Sequence, residues 1–213
     1  MFMGLMGIIL LILLGVILFW LFGIKLIIKY LKFDSAPCPA SLSWLVDLPI
    51  RQRYMRPVLD RVGLQPGETI LELGPGPGAF TVDAARRLLP GGRLIAVDIE
   101  PKMIDQVQQR VKQADVTNVE THVASAYDLP LEDESVDRAF MVTVLAEIPD
   151  PVQGLREVYR VLKPGGMFST TEEYMDPDYP RRATTIKWAE AAGFEMDERF
   201  GNMWLYTLNF RKK

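Results

Sequence analysis

The chain has 213 residues, of which 49% are hydrophobic, and a formal net charge of −3. This length predicts one domain of about 150–180 residues plus an extension. The weak negative charge argues against a general nucleic-acid binder, which needs a concentrated basic surface. The single cysteine excludes a disulfide within the chain, and nothing in the sequence indicates an oxidising compartment.

The first 24 residues carry no charge and are rich in Leu, Ile, Phe and Met. About 20 such residues span the hydrocarbon core of a bilayer. A cleaved signal peptide is the alternative, but it needs a positive segment before the apolar stretch, and no Lys or Arg precedes this one. We therefore predict a single transmembrane anchor with its basic flank in residues 1–32.

The charges after the apolar stretch predict its orientation. Lys25, Lys29 and Lys32 follow it directly, and positive residues tend to remain on the cytoplasmic side of a membrane. We expect a single-pass membrane protein whose folded domain is cytoplasmic.

Residues 33–49 contain three prolines and read as a linker into a domain of residues 50–213. The apolar residues at 42–48 fit two structures. One is a short helix packed on the domain, and the other is an interfacial segment lying on the bilayer.

A glycine-rich turn follows the first predicted strand. Residues 69–73 are largely apolar, and Gly74, Gly76 and Gly78 come next, with Glu72 two positions before the first glycine. A helix is expected from residue 78 or 79 to residue 89. Glycines let the backbone bend tightly and approach a ligand closely, and such a turn at the carboxyl edge of a parallel sheet is where open α/β folds bind nucleotide-like ligands.

Two cofactor types compete for this turn, and a tight turn with no ligand is a third possibility. Gly74, Gly76 and Ala79 satisfy the permissive G-x-G-x-x-G/A pattern of dinucleotide sites, which place a pyrophosphate at a helix N-terminus. The carboxylate of Glu72 would repel a pyrophosphate and would favour a ligand that carries an ammonium. S-adenosylmethionine is such a ligand.

The remaining elements predict an alternation of strands and helices. The second strand, residues 93–99, carries Asp98 about twenty residues beyond the turn, where an acid can bind ribose hydroxyls. Further strands are expected at residues 119–123, 136–144, 167–171, 194–200 and 204–210. Further helices are expected after Pro101, from residue 155 to a stop at Pro164 and the glycine pair that follows it, and at residues 182–192. The last two strands are joined through Gly201 and Asn202, a hairpin signal.

Five segments, at residues 72–78, 97–99, 128–130, 147–150 and 160–166, together resemble the class I S-adenosylmethionine-dependent methyltransferases. They are most similar to the branch that acts on quinones, lipids and other small molecules. The resemblance covers roughly residues 50–213. It implies an α/β fold with a Rossmann-like, seven-stranded, mostly parallel sheet, helices on both faces and a C-terminal antiparallel hairpin.

The resemblance also implies cofactor contacts. It assigns Glu72 and the glycine turn to the amino acid end of S-adenosylmethionine, Asp98 to the ribose and Ile99 to the adenine. Ser125 and Ala126 fall where relatives carry an Asp-Ala pair, so Ser125 departs from the family pattern. The implied cofactor-binding set is Glu72, Gly74, Gly76, Gly78, Asp98, Ile99, Ser125, Ala126 and Thr143.

Methyl transfer requires alignment of the acceptor and exclusion of water, and it needs a general base only when the acceptor must lose a proton. The candidate catalytic carboxylates follow the fourth and fifth strands, at Glu147, Glu172 and Glu173. The acidic residues 172–178 fit either a site for a cationic head group or a solvated loop. His122, the only histidine, fits a structural role or a base. We predict no metal site.

These observations predict methyl transfer from S-adenosylmethionine to an apolar or amphiphilic small molecule, such as a lipid head group or a quinone precursor, at a membrane surface. The expected partners are that substrate and the membrane, and no nucleic acid. The alternatives are a membrane-tethered S-adenosylmethionine-binding scaffold without turnover and, third, a nicotinamide-dependent dehydrogenase. The oligomeric state stays open.

Overall fold

The computed structural model describes residues 2–19 and 48–213. The N-terminal helix α1 (Phe2–Leu18) has 17 residues, none of them charged, and the side chains of Leu10, Leu11 and Ile12 are 60–69% exposed. None of the helices in the described parts of the chain combines the length and the apolar character needed to cross a membrane. The predicted transmembrane helix is therefore not found there, while residues 20–32 of the predicted anchor and residues 33–47 of the predicted linker lie outside the described ranges.

The domain is built on one mixed sheet of seven strands, ordered β3-β2-β1-β4-β5-β7-β6. The strands are β1 (Thr69–Leu73), β2 (Arg93–Asp98), β3 (Val119–Val123), β4 (Val136–Val142), β5 (Leu162–Glu173), β6 (Glu195–Gly201) and β7 (Leu205–Arg211). Strands β1 to β5 pair in parallel. The predicted seven-stranded, mostly parallel, Rossmann-like sheet is confirmed.

Helices cover both faces of this sheet, as predicted. They are α2 (Pro49–Met55), α3 (Val58–Val62), α4 (Thr81–Arg87), α5 (Pro101–Gln113), α6 (Pro151–Val161) and α7 (Arg182–Ala191). Alternate strand residues point to opposite faces, so Leu71 packs with α6 and α7 in one core. Its neighbour Ile70 packs with α2 to α5 in the other.

The C-terminal hairpin completes the sheet. Strand β7 lies between β5 and β6 and is antiparallel to both. The turn between β6 and β7 uses Gly201 at φ +77°, and the Asn202 amide donates to the Leu205 carbonyl at 3.0 Å. The predicted hairpin is therefore confirmed.

Strand β5 corrects two predicted boundaries. The helix expected to run from residue 155 until Pro164 already ends at Val161, and β5 begins at Leu162, which pairs with Val136 of β4. At its other end β5 continues through Glu172 and Glu173, because β7 offers them partners in register. Both glutamates are buried strand residues, so a solvated loop is the wrong description for these two.

Candidate active site

Gly74 lets two loops of the sheet edge come together. It follows β1 directly with φ +70°, and its amide donates to the Val97 carbonyl of β2 at 2.8 Å. A Cβ atom at this position would lie 2.5 Å from Cγ2 of Val144, in the segment after β4. No other residue fits such an approach in this backbone conformation. The fold therefore requires glycine at position 74 whether or not a ligand binds.

The other two glycines of the turn differ from each other. A Cβ atom on Gly76 (φ +54°) would meet nothing within 4 Å, so it would project into open space. A Cβ atom on Gly78 (φ +86°) would lie 3.4 Å from the side chains of Val107 and Arg110. Gly78 therefore brings the turn close to helix α5 and does not line the cavity described next, although the resemblance assigns it to the cofactor.

A cavity of about 270 Å³ opens beside this turn, at the carboxyl ends of β1, β2 and β4. Its wall brings together eight of the nine predicted cofactor residues: Glu72, Gly74, Gly76, Asp98, Ile99, Ser125, Ala126 and Thr143. The wall also includes the apolar side chains of Phe80, Val97, Met103, Val142, Val144 and Ile148. The roles of the eight predicted residues as cofactor contacts stay predictions, but the fold does place all eight on one wall.

Asp98 connects the end of β2 to the glycine turn. Its Oδ2 atom accepts from the Gly76 amide at 3.3 Å, and its Oδ1 atom accepts from the Glu100 amide at 2.9 Å. Burial raises the pKa of this carboxyl, and the two amide donors offset part of the rise. The carboxyl is thus oriented toward the cavity by backbone groups, which leaves it capacity to accept from hydroxyl groups of a ligand.

Glu72 is a buried acid, and one of its carboxyl oxygens has no hydrogen-bond partner among the described residues. Its side chain is 2% exposed, and the oxygen in question is Oε2. Burial raises its pKa to about 8, partly offset by the neighbouring Thr81 hydroxyl and reinforced by the Asp98 carboxyl. An unsatisfied buried carboxyl is costly unless a ligand or water completes it, and a cationic ligand would do so most strongly.

Ser125 and Ala126 form the segment that the sequence resemblance assigns to the adenine. Ser125 and Ala126 both line the cavity. The Ser125 hydroxyl accepts from the Tyr127 amide at 3.2 Å, so it shapes its own turn. Ile99, 57% exposed, also lies on the wall, where its apolar side chain is accessible to a ligand.

Thr143 marks the opposite side of the cavity and has an unusual backbone. Its φ is +55°, which is a strained value for a β-branched residue and points to a functional site. The Thr143 hydroxyl accepts from Nη2 of Arg51 at 3.4 Å, and Nε of Arg51 donates to Glu173 Oε1 at 2.6 Å. No pattern in the sequence indicates that Arg51, on helix α2, reaches this wall.

The three candidate catalytic carboxylates separate in the fold. Glu147, half-buried in the short helical turn after β4, lines the cavity. Glu172 and Glu173 do not line it. Glu172 is 1% exposed and accepts from the Thr170 hydroxyl at 2.9 Å, and burial raises its pKa well above the ordinary value. His122 lies on the outer strand β3, 2.7 Å from Glu120 Oε1, away from the cavity wall.

The wall residues fit S-adenosylmethionine. Gly76 leaves room beside the backbone, Glu72 offers an unsatisfied buried carboxyl for an ammonium, and Asp98 offers a second carboxyl for ribose hydroxyls. Apolar side chains and Ile99 offer surface for adenine. When bound, S-adenosylmethionine supplies an activated methyl group on sulfur.

Comparison with known proteins agrees with this site. Residues 71–170 match the family described as a methyltransferase domain. The chain is 34% identical over 117 residues to an arsenite methyltransferase of Halobacterium salinarum, covering 55% of this chain and 30% of that protein. It is 28% identical over 134 residues to a demethylmenaquinone methyltransferase of Listeria welshimeri, covering 63% and 57%.

The fold matches as well. A crystal structure of a SAM-dependent methyltransferase from Aquifex aeolicus superimposes with a TM-score of 0.77 at 21% identity, over 83% of this chain and 100% of that one. The chain spans less than two thirds of the length of the two curated relatives named above. The matched region includes the last three residues of β1, the glycine turn, Asp98 and most of β5. Residues 71–170 are therefore identified as a methyltransferase domain, and S-adenosylmethionine is the cofactor indicated for it.

Proposed function

We propose that the protein transfers a methyl group from S-adenosylmethionine to an apolar or amphiphilic small molecule, such as a quinone precursor or a lipid head group. The observation that carries this proposal is the cavity itself. One side presents the acids and the open glycine turn, and the side toward β4 presents mainly apolar residues around one half-buried acid, Glu147.

The residues divide the task between binding and alignment. Glu72 and the Gly76 turn hold the amino acid end of the cofactor, and Asp98 holds the ribose hydroxyls. Val144 and Ile148 enclose the acceptor and exclude water, which favours a displacement whose reactants are pre-aligned. Among the described acids of the wall, Glu147 lies closest in sequence to Val144 and Ile148. It accepts a proton if the acceptor is a hydroxyl or a carbon acid.

The relatives support a small-molecule acceptor. One is named for a demethylmenaquinone substrate and another for arsenite. Of these two, the ring system of a quinone matches the apolar wall formed by Phe80, Val144 and Ile148. We therefore place a quinone-like or lipid acceptor before arsenite.

The experiment is a product assay on the purified full chain. S-adenosylhomocysteine formation is measured by mass spectrometry with a panel of a demethylated quinone, phosphatidylethanolamine vesicles and arsenite. We expect turnover with an apolar acceptor and none with the Gly76→Ala variant. Turnover with arsenite alone would contradict the proposed acceptor class. Tight cofactor binding with no turnover on any acceptor would favour the binding scaffold.

We also propose that residues 1–32 hold the domain at the cytoplasmic face of a membrane. The exposed, uncharged side chains of α1 and the lysines that follow residue 24 support this proposal. In fractionated cells the full chain is expected in the membrane pellet after carbonate washing. Replacing Leu11 and Leu14 with lysine should move it to the supernatant, whereas replacing the exposed Leu89 on the domain should not. A wild-type chain found only in the supernatant would contradict the proposal.

A further inference from the structure

One charged side chain on the cavity wall is positive, whereas the other charged side chains of the described wall are acidic. Among the described residues of the wall, Glu72, Asp98, Glu100 and Glu147 are acids, and Arg51 is the one cation. S-adenosylmethionine carries two positive groups, the ammonium and the sulfonium, and one negative group, the carboxylate. The acids suit the positive groups, and Arg51 is the one charged side chain of the described wall that attracts the carboxylate.

The order of the strands locates Arg51 relative to the other contacts. The neighbouring strands run β2, β1, β4, β5, and their carboxyl ends carry Asp98, Glu72, Thr143 and Glu173 in that order. Arg51 contacts Thr143 and Glu173. It therefore lies on the side of Glu72 opposite to Asp98, beyond the amino group of a ligand whose ribose is at Asp98.

The guanidinium is held in place by the fold. Its side chain is 15% exposed, that of Glu173 is 10% exposed, and the Nε–Oε1 distance is 2.6 Å. A guanidinium has five N–H donors in a rigid planar fork, so it can serve Glu173 and a second carboxylate together. Glu173 is fixed in β5 opposite Leu205, which makes it the residue that orients Arg51.

We propose that Arg51 binds the carboxylate of the cofactor's amino acid end, and that Glu173 is a positioning residue which orients it. This inference rests on the proposed binding of S-adenosylmethionine to the cavity. It also gives Glu173 a role other than the catalytic one expected from the sequence. Thr143, whose backbone is strained, belongs to the same arrangement, because its hydroxyl accepts a hydrogen bond from Arg51 at the wall.

The test compares two ligands that differ only in the carboxylate. Calorimetry measures the Kd of S-adenosylmethionine and of decarboxylated S-adenosylmethionine, which keeps the sulfonium and the amine. With the wild-type chain the first should bind about 10- to 100-fold more tightly, as expected for charge-assisted hydrogen bonds. Arg51→Met should remove that difference and leave the decarboxylated ligand within about two-fold of its wild-type Kd.

Arg53→Met is the matched control, because Arg53 lies on the same helix, is exposed and does not line the cavity. It should change neither Kd. Glu173→Gln should weaken S-adenosylmethionine alone, and Arg51→Lys should restore part of the preference, with circular dichroism confirming that each variant is folded.

Three results would overturn the assignment. They are equal wild-type affinity for both ligands, equal weakening of both by Arg51→Met, and an effect of Arg51→Met on the acceptor KM with no effect on cofactor Kd. If the folded wild-type chain bound neither ligand, the proposed function itself would fail, which is a different outcome.

Discussion

Asp98 and Gly76 are joined by a hydrogen bond across the mouth of the cavity, from the Gly76 amide to Asp98 Oδ2 at 3.3 Å. The carboxyl that is expected to bind ribose therefore also holds the glycine turn in place. The expected cofactor contact and the geometry of the turn are coupled through one side chain, so a change at Asp98 should affect both.

Asp98→Asn should weaken S-adenosylmethionine about 10- to 100-fold, because an amide accepts fewer hydrogen bonds than a carboxylate and carries no charge. Calorimetry measures the loss. Asp83→Asn, an exposed residue in the first turn of α4, makes the same chemical change away from the cavity and should leave the Kd unaltered. Equal Kd values for Asp98→Asn and the wild-type chain would rule out a ribose contact here.

Gly76→Ala should abolish cofactor binding without unfolding the domain. The new methyl group would enter the open space beside the turn, and its backbone cost is about 1–2 kcal/mol for a non-glycine residue at positive φ. Gly67→Ala is the matched control, since Gly67 also has positive φ and open space but does not line the cavity. Both variants should lose similar stability in urea unfolding, and only Gly76→Ala should lose binding. Loss of binding by both would mean that the effect is global.

Gly74→Ala should destabilise the fold more than either, by roughly 2–5 kcal/mol from the backbone cost and overpacking together. The added Cβ would lie 2.5 Å from Val144 Cγ2. Because the obstacle is a side chain, the double variant with Val144→Ala should recover part of the stability, a non-additivity that a double-mutant cycle measures. Strict additivity would show that the contact with Val144 is not the cause.

Cofactor affinity should rise with pH between about 5.5 and 7.5. Burial raises the pKa of Glu72 to about 8, so the free protein holds this carboxyl protonated in that range, whereas the ammonium of the cofactor binds the ionised form. Binding must then release a proton, and the affinity should rise by up to tenfold per pH unit. Calorimetry in buffers of different ionisation enthalpy counts the protons released.

The same shift affects stability without ligand, in the opposite direction. A carboxyl whose folded pKa is raised stabilises the fold below its unfolded pKa, near 4.5, and this contribution is lost as pH rises toward 8. Glu72→Gln mimics the protonated form, so it should flatten both pH profiles and bind the cofactor weakly at every pH. A wild-type affinity that stays constant from pH 5.5 to 7.5 would count against ionisation of Glu72 on binding.

Glu147 and Glu172 should respond differently to the same substitution. Glu147→Gln should lower kcat about 100-fold or more if the acceptor loses a proton, since Glu147 lies on the cavity wall. Glu172→Gln should keep kcat within about two-fold, because Glu172 is buried away from that wall and burial favours its neutral form. Single-turnover kinetics on both variants distinguishes these outcomes. A larger loss from Glu172→Gln would return the catalytic role to β5.

Local sequence determined the parts of this protein that depend on neighbours along the chain. The apolar run before Glu72, the spaced glycines and the acid at the end of the second strand predicted a strand, a turn and a cofactor cavity, because each follows from backbone freedom and residue chemistry within a few positions. The Gly201 turn predicted the hairpin for the same reason.

Tertiary structure alone decided which distant groups meet. Arg51 reaches Glu173 across 122 positions of sequence, and no local pattern encodes that pairing. The extent of β5, and hence the burial of Glu172, depends on the partners that β7 supplies. Gly78 faces helix α5 rather than the cavity because of how that helix packs on the sheet. Periodicity and turn chemistry act over a few residues, whereas ion pairing and burial depend on the packing of the whole chain.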